Sequence, residues 1–316
     1  MVPSVVDVHG HWFPPAVVSR RAPTLTPALA AAWELLIDVE AQLEHAAAAG
    51  TDVRVVSAPL SSIASSGVVP SHELAARTND ALAVAVSRHG GRLVALATVD
   101  AFAGDAGAEE ARRAVDELGL PGLVVDAARG ERLLADPGAR PTLAFAAERG
   151  IPVFAHPVNP PVIPDRQRRT GAGILLARGS ESALSTLALL EAGTLAELAG
   201  LELIIAGIGA SALLLAGFLD GPEAGSAPAS AGRSRLHVDT MGFDPAVVRF
   251  LVDVLGPERV LVGSDWPIMW REASAARVED TLAEAGLGGR DAALVAGGNA
   301  SRLLALPAPA GRQISA

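Results

Sequence analysis

Eight short apolar runs, each followed by a segment with helical periodicity, constrain this chain more than any other feature. The runs are VVDVH (residues 5–9), VRVVSA (53–58), LVALATV (93–99), GLVVDA (122–127), IPVFAH (151–156), LELIIA (201–206), RLHVDT (235–240) and RVLVGS (259–264). Helical patterns lie between and after them at 29–49, 72–89, 107–118, 137–149, 182–199, 210–219, 245–255, 272–285 and about 290–305. A crossover helix returns the chain to the same end of a sheet, so strands joined this way run parallel. Eight such units predict an α/β fold, a closed (β/α)₈ barrel. An open doubly wound sheet is the alternative. The 316 residues, half of them hydrophobic, suit one barrel domain over 1–306 with a tail at 307–316.

Three stretches break the alternation: residues 12–28 after the first run, 157–181 after the fifth, and the low-complexity segment 221–234. Loops that follow barrel strands carry the active site, which places the first two insertions over it. A net charge of −10 argues against a nucleic-acid partner. Without cysteine there are no disulfides or thiolate metal sites, and without tyrosine there is no phenol acid. No basic segment leads into an apolar one at the start, so a cytoplasmic location is expected. The uncharged stretch LIIAGIGASALLLAGFL (203–219) is at the lower edge of a spanning length. Gly207 and Gly209 split it, and a strand–turn–helix accounts for it without a membrane.

Isolated polar residues at the ends of the apolar runs carry the chemistry. His9 and His11 are two apart on a strand and share a face. His156 ends the fifth run, His237 and Asp239 share a face of the seventh, Asp126 ends the fourth, and Asp265 follows the eighth in GSDWP. His45, His72 and His89 fall among polar neighbours in helical stretches and read as surface positions. A charged group at the end of a buried strand is costly unless it is paired or metal-bound. His9, His11, His156 and Asp265 together read as ligands of one divalent ion, and nitrogen and oxygen donors without sulfur suit zinc, iron or manganese. Asp126 and Asp239 have an equally good structural reading, since aspartate also starts loops and caps helices. Trp12, Phe13, Trp266, Ile268, Met269 and Trp270 either wall an apolar pocket or pack beneath the insertions. Arg166, Arg168 and Arg169 in DRQRRT either hold an anionic substrate group or form a solvated loop.

The stretches DVHGHWFPP, the Asn-Asp of ARTNDAL, GIPVFAHP, DTMGFDP, RVLVGSDWP and GNASRLLAL resemble the amidohydrolase superfamily. Within it they resemble the group around aminocarboxymuconate semialdehyde decarboxylase. The resemblance implies a barrel, a divalent metal and a homodimer, with His9, His11, His156 and Asp265 on the ligand positions. One departure stands out. The family usually has a histidine after strand six, in a pattern like HGGG, and here Gly207 takes that place; Phe218 takes the place of a nearby arginine. Loss of a positioned acid/base costs typically ~10²–10⁴-fold in rate.

His237 and Asp126 offer compensation. His9, His11, Asp126 and Asp265 would hold one ion, and Asp126, His156 and His237 a second, with Asp239 and Asp265 as catalytic carboxylates. This favours a non-heme (di)iron oxygenase hydroxylating an apolar carboxylate or acyl thioester, like the superfamily's diiron hydroxylase branch in antibiotic biosynthesis. Such an enzyme needs an electron donor. The alternatives are a mononuclear zinc or manganese decarboxylase or hydrolase, in which Asp265 receives a proton, and a barrel without catalysis.

Overall fold

β1 (Val6–His11) pairs in parallel with β2 (Val53–Ser57), and β2 with the first piece of β3, Leu93–Ala95. The second piece of β3, Ala97–Val99, continues the sheet through β4 (Leu123–Asp126), β5 (Pro152–His156), β6 (Glu202–Ile205), β7 (Leu236–Asp239) and β8 (Val260–Leu261). Leu96 joins the pieces: its N–H donates to Val56, and the next N–H, of Ala97, to Gly122. The last strand returns to the first, with Val8 N–H donating to Val262 (2.9 Å) and His11 N–H to Trp266 (2.9 Å). The sheet is therefore a closed barrel, as the eightfold alternation predicts. This computed structural model describes residues 4–18, 27–64, 70–170, 172–216, 232, 234–241, 244–269 and 278–307. Residues 19–26 of the first insertion, nearly all of 221–234, Phe218, Trp270, the start of the 272–285 segment and the tail from 308 lie outside the described residues.

The period of two along each strand sorts apolar residues to two faces. Val6, Val8, Val55, Val94, Leu96, Val124, Phe154, Ile204 and Leu261 fill the barrel interior. Their sequence neighbours Val56, Val125, Val153 and Ile205, and Val238 between His237 and Asp239, face outward into the larger core beneath the helices.

Two helical segments differ from the sequence expectation. The pattern over 29–49 is two helices, α1 (Pro27–Leu36) and α2 (Val39–Ala48). Asp38 breaks them, its carboxylate accepting from Glu40 N–H and Ala41 N–H as the cap of α2. After α3 (Leu60–Ala64), α4 (His72–His89), α5 (Asp105–Asp116), α6 (Arg140–Arg149) and the one-turn α7 (Asp165–Arg168), α8 runs from Gly173 to Glu191 and starts well before residue 182. Within it Gly179 permits close packing: a Cβ there would lie 2.3 Å from the Ile208 carbonyl oxygen. The described part of the apolar stretch 203–219 forms β6, a turn at Gly207–Gly209 and a helix over Ser211–Ala216. No helix among the described residues is long and apolar enough to cross a membrane.

Candidate metal centre

A bulge between Asp7 and Gly10 shapes the first wall of the site. The extra residue lets two consecutive side chains face inward: Val8 joins the interior cluster, and the His9 ring packs edge-on against Phe154 at 4.8 Å. Gly10 faces the other way, where a Cβ would lie 2.7 Å from Arg54 Cδ. His11 then returns to the interior, its ring centroid 5.0 Å from that of His9 and 4.9 Å from that of His156. One ring nitrogen from each of His9, His11 and His156 lies within 4.8 Å of the others, and all three residues are buried.

His9 and His11 are oriented from behind, while His156 Nδ1 is buried without a hydrogen-bond partner. His9 Nδ1 is 2.7 Å from Asp239 Oδ2, so Nδ1–H donates and Nε2 is left facing the cluster without a hydrogen bond. His11 Nδ1 lies 3.2 Å from Ser57 Oγ and 3.4 Å from the Ser57 carbonyl, and its Nε2 is 3.3 Å from His156 Nε2. Asp265 supplies the oxygen: Oδ1 is 3.0 Å from His11 Nε2 and 3.4 Å from His9 Nε2. Its backbone is left-handed (φ 53°), a conformation that aspartate tolerates better than most residues.

The electrostatics ask for a cation. Burial alone would lower the His9 pKa, yet Asp239 and Asp265 outweigh it and raise it to about 9. Burial lowers His11, and it lowers His156 strongly, with the His11 and Arg178 charges adding to the effect on His156. For Asp265, burial works upward, but His9 and His11 hold the carboxyl below its ordinary range. Three imidazole nitrogens, one of them orphaned and buried, beside one ionised carboxylate fit a single divalent ion of the zinc, manganese or iron type.

The structure does not assemble a second ion site from Asp126, His156 and His237. Asp126 sits opposite His156 in the sheet register, but its carboxylate accepts from Ser61 Oγ (2.8 Å) and Ser61 N–H (3.1 Å) at α3. Burial first, against these hydrogen bonds, raises Asp126 to about 6. His237 faces the interior one layer lower. Two residues of strand separate it from Asp239, roughly 7 Å along the barrel, and its Nε2 pairs with Glu202 Oε2 at 2.7 Å. Asp239 is likewise not a free catalytic carboxylate. It is fully buried, and Oδ1 accepts from Gly207 N–H (3.0 Å) and Met241 N–H (2.9 Å) while Oδ2 holds His9. Its hydrogen bonds hold His9 and the turns after β6 and β7 in place. Replacing Asp239 with Ala should weaken metal binding about 10–100-fold, read by competition with a fluorescent chelator.

Phe13 and Trp266 pack in the interior, while Trp12, itself buried, lines an open groove with Pro14, Val17 and Arg77 away from the metal centre. Phe13 is buried against Trp33 (6.1 Å), and Trp12 is buried in the outer core. Trp266 is buried and stacks on His45 at 4.7 Å. Arg166, Arg168 and Arg169 are exposed around α7, with Arg168 Nε donating to the Ile163 carbonyl.

Sequence reasoning missed two arginines and a histidine. Arg54 is fully buried and donates through Nη1 to Asp7 Oδ2 and Ser264 Oγ, both at 2.8 Å. Its Nη2 donates to His45 Nδ1 at 2.9 Å, so His45 is a neutral acceptor and half-buried, where the sequence suggests a surface position. Arg178 reaches from α8 to the Pro157 carbonyl beside His156. A lone charge in the run VRVVS was the available signal for Arg54.

Burial, then the Arg54 charge, lowers His45 to about 4 from 6.5. The folded state therefore binds fewer protons than the unfolded chain between those values. The stability His45 confers is present above about pH 6.5 and is lost as pH falls through about 4. A His45→Gln variant should show a flatter decline of urea-unfolding free energy over that window; an unchanged slope would remove His45 as its source.

Residues 6–306 match the model of the amidohydrolase family. The chain is 26% identical over 243 residues to 2-amino-3-carboxymuconate-6-semialdehyde decarboxylase of Dictyostelium discoideum, covering 74% of this chain and 67% of that protein. It is 29% identical over 220 residues to gamma-resorcylate decarboxylase of Rhodococcus jostii (strain RHA1), covering 62% and 66%. The match thus falls just short of two thirds of the length of the second relative. A crystal structure of a dihydroxybenzoic acid decarboxylase from Polaromonas sp. JS666, with bound manganese and the inhibitor 2-nitroresorcinol, superposes with a TM-score of 0.77 at 19% identity, covering 96% of this chain and 98% of that one. With the motifs of all eight strands inside the matched range, the chain belongs to the amidohydrolase family.

Proposed function

We propose that this chain is a mononuclear, divalent-metal-dependent decarboxylase of a small aromatic or conjugated carboxylate. The observation that carries the reading is the convergence of His9, His11 and His156 beside Asp265, one site with four donors. The similarity to two curated decarboxylases supports the reaction class. The diiron oxygenase expectation loses its basis, because Asp126 and His237 are committed to Ser61 and Glu202.

A bound divalent ion supplies Lewis-acid polarisation of a substrate oxygen. The chain's own residues do the rest. Asp239 holds His9 in the tautomer that turns Nε2 inward, and Ser57 steadies His11. Asp265 is the carboxylate that takes up a proton from solvent and passes it to the carbon that loses CO₂, ending the cycle ionised again. The C–C bond breaks with its electron pair left on that carbon, and the proton from Asp265 forms the C–H bond.

No histidine assists from the end of β6. Gly207 stands there, and a Cβ would lie 2.8 Å from the Asp239 carbonyl oxygen and 3.3 Å from Met241 Cβ. The acid/base role therefore falls to Asp265. Protein loaded with manganese or zinc should release CO₂ from hydroxybenzoates or carboxymuconate-type substrates without oxygen. Turnover that strictly needs O₂ would reject the proposal.

A further inference from the structure

Arg178 is a cation at the mouth of the barrel that has no carboxylate partner within ion-pair distance among the described residues. Its position follows from packing. Gly179, the next residue, lies so close to the Ile208 carbonyl that no side chain fits, and Ser182 sits against Gly209 in the same way. These contacts press α8 onto the turn at the carboxyl end of β6. The guanidinium of Arg178 is thereby carried to the carboxyl end of β5, where Nη2 donates to the Pro157 carbonyl at 2.6 Å and Nη1 to Asn159 Oδ1 at 3.3 Å. Pro157 is bonded directly to the ligand residue His156. Both Asp265 and Asp126 act on the Arg178 charge, which places it on the same mouth as the metal centre.

Arginine has five N–H donors in a planar fork. Two are taken by neutral acceptors, which orient the fork without neutralising it. A partly buried, unneutralised guanidinium next to a metal centre is suited to a planar anion. The arginines around α7 are exposed, and Arg168 has one such bond, to the Ile163 carbonyl. Resting on the decarboxylase reading, we propose that Arg178 is the substrate-anchoring residue of this site, holding the carboxylate that the enzyme acts upon or a second carboxylate of the same molecule.

The test is calorimetric titration of the manganese-loaded full chain with γ-resorcylate, benzoate and the uncharged analogue resorcinol. Arg178→Met should weaken both carboxylates about 10–100-fold and leave resorcinol within about twofold. Arg178→Lys, which keeps the charge but loses the fork, should recover part of the loss. Combined alanine substitution of Arg166, Arg168 and Arg169 should change neither. Equal carboxylate affinity in wild type and Arg178→Met overturns the proposal, as does an equal loss for resorcinol, or a wild type that binds neither carboxylate. Carbon dioxide release is measured separately on the same preparations. Arg178-dependent carboxylate binding without any CO₂ release from the panel would overturn the decarboxylase reading alone.

Discussion

Replacing Asp265 with Asn is expected to lower turnover by about 10²–10⁴-fold while the barrel stays folded. Asparagine has the same shape and also tolerates the left-handed backbone found at φ 53°. What it cannot do is accept and return a proton, or offer an anionic oxygen to His9 and His11 at 3.4 and 3.0 Å. The loss should therefore appear in kcat even when metal is supplied in excess. Metal content by elemental analysis, circular dichroism and steady-state CO₂ release together check it. A fully metallated, folded variant with wild-type kcat would remove Asp265 from the chemistry.

Arg54→Ala is the second large effect, and it falls on stability. The Arg54–Asp7 pair lies wholly out of water, at 2.8 Å, and the same guanidinium grips Ser264 and His45. Removing one partner of a buried pair leaves an uncompensated charge and costs about 3–5 kcal/mol. Asp7 would keep its backbone donors, the N–H groups of His9 and Ser264, but lose its counter-ion. Ser264 precedes Asp265 and Trp266 follows it, so the loss also loosens the flanks of the strained aspartate. Urea unfolding should show the shift. Adding Asp7→Asn to Arg54→Ala should recover part of it, because the stranded charge is then gone. Full additivity of the two substitutions would mean that the pair does not act as a unit.

The barrel and the face shared by His9 and His11 were legible because they rest on local rules. Short apolar runs mark the strands and the eight-unit rhythm marks closure. The spacing of His9 and His11 fixes a shared face, whatever the rest of the chain does. The roles of the remaining polar residues were not legible, for a reason that His237 and Asp239 show. Both face the interior by the same spacing rule. Their depth in the barrel, and the partner waiting at that depth, depend on other strands: Glu202 for one, His9, 230 residues away, for the other. Asp126 looked like a bridging ligand until α3 placed Ser61 against it.

Sequence by itself determined the fold class, the donor types and the rim of the barrel on which they stand, since these follow from periodicity and chemical identity. Tertiary structure decided which side chains meet at one point of that rim, which carboxylates are taken by other partners, and that Arg54 and Arg178 lie beside them. Those outcomes depend on distances between segments that share no local sequence constraint.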